Sequence, residues 1–211
     1  MRAIVRDLDG RGRNLPPLPS IFPDYEAPVV TRGVNGVRSL EMMRWGFPPP
    51  PFVKGSHTVQ NVRNLSSGYW KKWLSIDEGV GGRCLVPATA FSEYQDGPSP
   101  KDIVWFARPA DGADTRPLFF LPGIWRSWDG ERGPKAARVA GTHRIFAFLT
   151  AEPNAIVAPV HAKAMPVILT TSAECEQWLE AEPAKALELQ RSAPEDALTI
   201  VARGKARKDE G

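Results

Sequence analysis

RCLVPATAFSEY, residues 83–94, is apolar, punctuated by a proline, and carries no helical period. It reads as a β-strand. Two more strands follow across turn-rich pieces, DIVWFARP (102–109) and RPLFFLPGIWRSW (116–128). Three strands in succession with no long helix between them point to a sheet that is mainly antiparallel.

Working outward, APVVTR (27–32), a Gly-Val-Asn-Gly turn and VRSLEMMRW (37–45) predict a hairpin. HRIFAFLT (143–150), MPVILT (165–170) and LTIVAR (198–203) predict further strands, and residues 129–142, charged and glycine-rich, predict an exposed loop. Helical signals are few. SGYWKKWL (67–74) predicts one short helix, and TSAECEQWLEAEPAKALELQ (171–190) predicts one or two, opened by Thr171 with Glu174 three residues on. Residues 14–28 form a proline-rich lead-in and GFPPPPFVKG (46–55) a stiff loop of polyproline character, while 204–211 predict a frayed tail. There is no repeat and no linker. The expectation is a single α+β domain over residues 1–211, with a strongly curved, barrel-like sheet and a few short helices.

Composition narrows the function. The chain has 211 residues, 42% of them hydrophobic, enough for a substantial core. No run approaches the roughly 18 apolar residues of a membrane helix, so no membrane partner is expected. The N-terminus, MRAIVRDLDGRGR, has no apolar signal core. The two cysteines, Cys84 and Cys175, have no CxxC spacing, which argues against a disulfide framework and a zinc site and fits a reducing cytoplasm. Three histidines without a neighbouring acidic cluster argue against any metal, and no cofactor is expected. A net charge of +3 is weak evidence for a polyanionic partner. Seven tryptophans, several beside Arg, Lys or Gly, could stack on unpaired bases, although most should be core.

The candidate chemistry is scattered. Alternation puts Leu85, Phe91 and Glu93 on one strand face, where a carboxylate would be costly to ionise and suited to acid/base work; just past a strand end it would simply be solvated. Asn61 and Arg63 alternate on an extended segment, where an amide and a guanidinium could position a nucleophile and hold phosphate. Lys71 and Lys72 extend the basic character onto the next helix, and Trp45-Gly46 could present an aromatic wedge or cap the core. His161, inside PNAIVAPVHAKAMPVILTT (153–171), is either a polar residue at a strand entrance or the acid/base of an assembled site.

In order, WGF (45–47), NVRN (61–64), RCLVPATAFSEY, PGIW (122–125) and FLTAEPNAIVAPVHAKAMPVIL (148–169) resemble the SOS-response-associated peptidase family, the abasic-site processing proteins. The resemblance runs from about residue 14 to about 203. It implies binding to single-stranded DNA and a covalent DNA–protein crosslink at abasic sites, in the SOS DNA-damage response. In the family, the cysteine exposed by removal of the initiator methionine condenses through its α-amine with the open-chain sugar aldehyde, and its thiolate then closes a thiazolidine. The same thiol is associated with autopeptidase activity, hence lyase-type and hydrolase labels. Carried over by motif, Asn61 orients the N-terminal residue, Glu93 acts as acid/base near the amine, and His161 shuttles a proton to or from the sugar. Arg63 holds phosphate, with Trp45 and Gly46 where DNA is bent and unstacked. A monomer in the bacterial cytoplasm, at the nucleoid when acting, is expected.

The chain departs from the family at its start, where Arg2 stands in place of the cysteine and about a dozen family residues are missing or replaced. Cys84, in an apolar strand, and Cys175, between Glu174 and Glu176, are both rejected as substitutes. The preferred explanation is a start codon placed too late. The alternative is a non-catalytic single-stranded DNA-binding module, and a protease acting in trans has least support. Leu65 stands where many members have glutamate.

Overall fold

A computed structural model describes residues 18–33, 36–54, 57–75, 80–110, 112, 116–133 and 137–208. The predicted hairpin forms from β1 (Glu26–Arg32) and β2 (Arg38–Trp45) in continuous antiparallel register. RCLVPA lies in β4 (Gly81–Ala88), between β1 and β7 (Phe119–Arg132), and β7 pairs along most of β8 (Val139–Ala151). Two-residue β3 (Asn61–Val62) and β9 (Met165–Pro166) add to β8. The sheet then curls back on itself. Arg44 and Trp45 pair in parallel with Ile145 and Phe146, so β1, β2, β8, β7 and β4 form a ring. The expected barrel-like curvature is present.

Alternation along these strands sorts apolar side chains onto opposite faces of the sheet. Val30, Leu85, Ile124, Ile145 and Ala147 belong to one core, which is covered by helical segments. These are α1 (Gly68–Lys71), running into a 3-10 turn, then α2 (Ser172–Glu180) and α3 (Pro183–Leu187). Trp178 of α2 is fully buried and its indole Nε1 donates to Cys84 O at 2.8 Å. The predicted cap is present: Thr171 Oγ1 accepts from Glu174 N, and the Glu174 carboxylate accepts from Thr171 N. Val29, Cys84, Trp125 and Phe146 face a second core, covered by a small sheet. That sheet runs β10 (Thr199–Gly204), β6 (Ile103–Ala107), β5 (Ala90–Tyr94).

The chain changes sheets at Thr89, which corrects one expectation. Leu85 faces the first core, while Phe91 packs in the second, stacked on Phe106 at 5.1 Å. Leu85 therefore does not share a face with Glu93, because alternation cannot be counted across a break between sheets. A second correction concerns 129–142. Pairing continues from Asp129↔Thr142 to Arg132↔Val139, so much of the expected loop is a polar hairpin arm running beyond the core. MPVILT is strand only at 165–166, followed by a bridge between Leu169 and Phe120. Pro122 has no N–H, and the β7–β8 ladder begins only after it, at Gly123↔Phe148. This leaves Phe120 to exchange both backbone bonds with Leu169, at 2.9 Å each.

The tail expected to fray from residue 204 is held as far as Arg207. Gly204 pairs with Ile103, Trp105 Nε1 donates to Ala206 O, and Ser20 Oγ donates to Arg207 O. These bonds are long-range in sequence and so invisible to a count of tail charges. Residues 209–211 lie outside the described residues, as do 14–17 of the proline-rich lead-in.

Gly123 marks a tight crossing of the ring. A Cβ there would stand 2.6 Å from Ala147 O and 3.2 Å from Cys84 Sγ. Gly123→Ala is expected to lower stability by about 1–3 kcal/mol, from a forced shift of β7 against β8. Denaturant unfolding measures this; an unchanged midpoint would mean that the strands separate freely at that point.

Candidate functional site

The segment from Glu152 to Ala164 leaves β8, crosses to β9 and carries His161. Asn154 organises its first half. Asn154 is buried, its Oδ1 accepts from Ile156 N and Val157 N at 3.2 and 3.0 Å, and its Nδ2 donates to Ala193 O and Pro194 O. Val157 and Val160 sink into the second core, and His161 N donates to Val157 O at 2.9 Å. His161 thus ends a bonded turn and is three-quarters covered.

Two elements grip this segment. On one side, Arg63, just after β3, donates to Lys163 O and pairs with the Glu152 carboxylate, while Gln190 Nε2 donates to Arg63 O at 2.6 Å. On the other, the turn after β5 holds it closely. Asp96 N donates to Val160 O at 2.7 Å, Asp96 Oδ2 accepts from Ala162 N at 3.0 Å, and Gln95 Nε2 donates to Pro159 O at 2.9 Å. Asp96 Oδ1 lies 3.5 Å from His161 Nδ1. The ends of β3 and β5, far apart in sequence, are therefore joined through one loop.

Glu93 sits three residues before Asp96 and is half-buried beside Phe91. Burial, reinforced by the Asp96 carboxylate, pushes its carboxyl up to about 7. Asp96 moves the opposite way, held down first by the Ala162 N–H and then by His161 and Lys101. One carboxyl thus titrates near neutrality while its neighbour stays ionised beside an imidazole. A pair so divided can donate and relay protons.

Asn61 is exposed on β3 opposite Phe148 of β8. Its neighbour Val62 faces the first core, so Asn61 and Arg63 lie on the side of the second core. Trp45 is largely a packing residue. It stacks on Phe148 with centroids 5.1 Å apart, and its Nε1 donates to Gln60 O. Gly46 has φ +119°, and a Cβ would meet Thr58 and Arg132 at 3.1–3.2 Å, so glycine is required there. Lys71 ends α1 and Lys72 opens the 3-10 turn that follows. Their helix packs Trp70 and Trp73 against the first core, and Lys72 Nζ rests over Tyr69 and Trp73 at 5.1 and 4.8 Å.

Neither cysteine supplies a nucleophile. Cys84 is fully buried and burial pushes its thiol up. The Cys175 thiol is pushed up to about 12, chiefly by burial, with Glu174 and Glu176 adding to it as expected. Leu65 is fully buried in the first core, consistent with an apolar residue at that position. Among the described residues no group of three or more His, Cys, Asp or Glu is placed to hold a metal, and no helix is long and apolar enough to cross a membrane. Sequence reasoning missed Asp96, Asn154 and Gln190. Asp96 lay in a Gln-Asp-Gly turn whose composition matches any solvated turn.

The raised Glu93 carboxyl has a measurable consequence. Between its ordinary value near 4.5 and about 7, the folded state keeps a proton that the unfolded chain has released. Stability therefore falls as pH rises through that window. Glu93→Gln removes this loss, so the variant should gain about 1–3 kcal/mol relative to the native chain at about pH 8 and nothing at about pH 4. A gain that does not depend on pH in denaturant titrations would show that Glu93 is not held protonated.

Solved structures share this fold, three of them as follows. A protein from Bordetella bronchiseptica aligns at TM-score 0.63 and 20% identity, covering 89% of this chain and 86% of its own. A phage-related protein from the same organism aligns at 0.59 and 21%, covering 93% and 87%. A protein from Bacteroides thetaiotaomicron aligns at 0.58 and 18%, covering 84% and 74%. At these identities the likeness is one of fold. No curated protein matches the chain. The profile of the SOS response associated peptidase family matches residues 3–205, and the chain therefore belongs to that family.

Proposed function

We propose that this SOS-response-associated protein binds single-stranded DNA and acts on abasic sites, with Glu93 and His161 moving the protons of imine chemistry. The observation that carries this reading is the half-buried Glu93, its carboxyl pushed up to about 7 by burial and by Asp96, the same carboxylate that faces His161 at 3.5 Å. An abasic sugar exposes an aldehyde only when its ring opens. His161 transfers the proton that accompanies opening. An amine then attacks C1′, the new C–N bond forms, and Glu93 donates the proton with which the carbinolamine oxygen leaves as water. Addition of a thiolate to the imine carbon closes a ring without any oxidant.

In this reading Asn61 orients the attacking residue and Arg63 the backbone of the strand. Arg63 pairs with Glu152, but that pair is exposed, at 45% and 74% for the two side chains, and exposed pairs contribute little. A DNA phosphate can replace Glu152 on the guanidinium with small loss. Trp45 and Gly46 shape the neighbouring β2 end rather than offering a free ring. Lys71 and Lys72 act as a separate basic contact.

Neither Cys84 nor Cys175 can supply the thiol, since both are buried. That observation favours a second reading, a binding module that holds abasic DNA without crosslinking it.

A denaturing gel separates the two, using single-stranded DNA with one abasic site. The 211-residue chain should give no heat-stable adduct, and a form beginning Met-Cys, with the family's intervening residues, should give one. In that form Glu93→Gln and His161→Ala should each slow adduct formation by about 100-fold or more. No adduct from a folded Met-Cys form would leave the binding module standing. Its binding would be salt-sensitive, unaffected by Glu93→Ala and His161→Ala, and weakened by Arg63→Ala.

A further inference from the structure

Asp96 touches the His161 segment in three ways, and only one of them involves the imidazole. Its backbone N–H donates to Val160 O and its Oδ2 accepts from Ala162 N, so the residue is bonded to both chain neighbours of His161. The remaining oxygen, Oδ1, stands 3.5 Å from His161 Nδ1. A carboxylate oxygen is an acceptor only, so a neutral ring that donates to it must do so from Nδ1. Nε2 is then the nitrogen with a free lone pair.

We infer that Asp96 is a positioning residue. By holding His161 in the Nδ1–H tautomer it leaves Nε2 as the proton acceptor that a ring-opening sugar hydroxyl meets. This rests on the proposed abasic-site reading for the identity of the substrate, but not for the pairing itself. Neither the family profile nor the fold likeness assigns the residue. The backbone bond to Val160 does not involve the side chain at 96, and the Ala162 bond uses Oδ2, so Oδ1 is the oxygen left to face the ring.

Asp96→Asn isolates the effect. The amide oxygen can still accept from Ala162 N, and the backbone bond to Val160 is untouched, so the segment stays in place. The amide nitrogen then takes the position of Oδ1 and donates toward Nδ1. The ring must answer with the Nε2–H tautomer, and its accepting nitrogen no longer faces the substrate.

Two readouts test this. The first is the 15N spectrum of the His161 ring at about pH 8.5, above the ordinary histidine range, in the 211-residue chain. It should show Nδ1–H in the native chain and Nε2–H in Asp96→Asn. The second is adduct formation at saturating abasic DNA by the Met-Cys form, which should slow by about 100-fold or more in Asp96→Asn while affinity for the DNA does not fall. An unchanged tautomer overturns the inference. A changed tautomer with an undiminished rate overturns it as well. If the native Met-Cys form makes no adduct, the abasic-site reading fails, and the spectrum alone decides the pairing.

Discussion

The parallel pairing of Arg44 and Trp45 with Ile145 and Phe146 is the constraint on which the rest of the molecule depends. It joins the outer strand of the N-terminal hairpin to β8 and turns a curled sheet into a ring. Gly46 N extends the contact by donating to Phe146 O at 2.7 Å, and Arg132 grips Gly46 O from the hairpin arm. Two residues further along β8, β3 takes its place in the same parallel sense. Closure thus determines where Asn61 and Arg63 emerge, and which face of the sheet they share with the His161 segment. Burial on two faces then follows from strand alternation, with helices over one core and the small sheet over the other.

The site is assembled from chain ends that loops bring together, rather than from one strand. Its electrostatics come from a graded burial. Glu93 is covered enough to hold its proton, whereas Asp96 is exposed enough, and sufficiently hydrogen-bonded, to stay ionised. Asp96 is steadied further by Lys101, whose Nζ lies 3.9 Å from Oδ1. The same packing that raises Glu93 inactivates the two cysteines, because a thiol in an apolar interior gains nothing from ionisation.

Much of this was legible in the sequence. The hairpin, the capped helix at Thr171 and the strand at 116–128 rest on local signals, namely turn residues, a capping box and β-rich composition, and all three form. The ring closure was legible only as a general expectation of curvature, since pairing between residues about 100 positions apart leaves no local mark. Glu93 was singled out by alternation, but through a face it does not share with Leu85. The sheet switch at Thr89 has no distinctive residue to announce it. The polar arm at 129–142 looked like a loop because charge and glycine mark a strand that leaves the core as readily as a turn. Asp96 was missed for a related reason: a turn aspartate and an aspartate aimed at a histidine have the same sequence neighbourhood.

The most direct test of the account is a crystal structure of the protein with single-stranded DNA that carries a stable, ring-closed abasic analogue. The account predicts the abasic sugar between the Glu93 carboxyl and His161 Nε2, with the adjoining phosphate on Arg63 in place of Glu152. DNA bound instead along the Lys71–Lys72 helix, with the Glu93 side of the molecule empty, would contradict it.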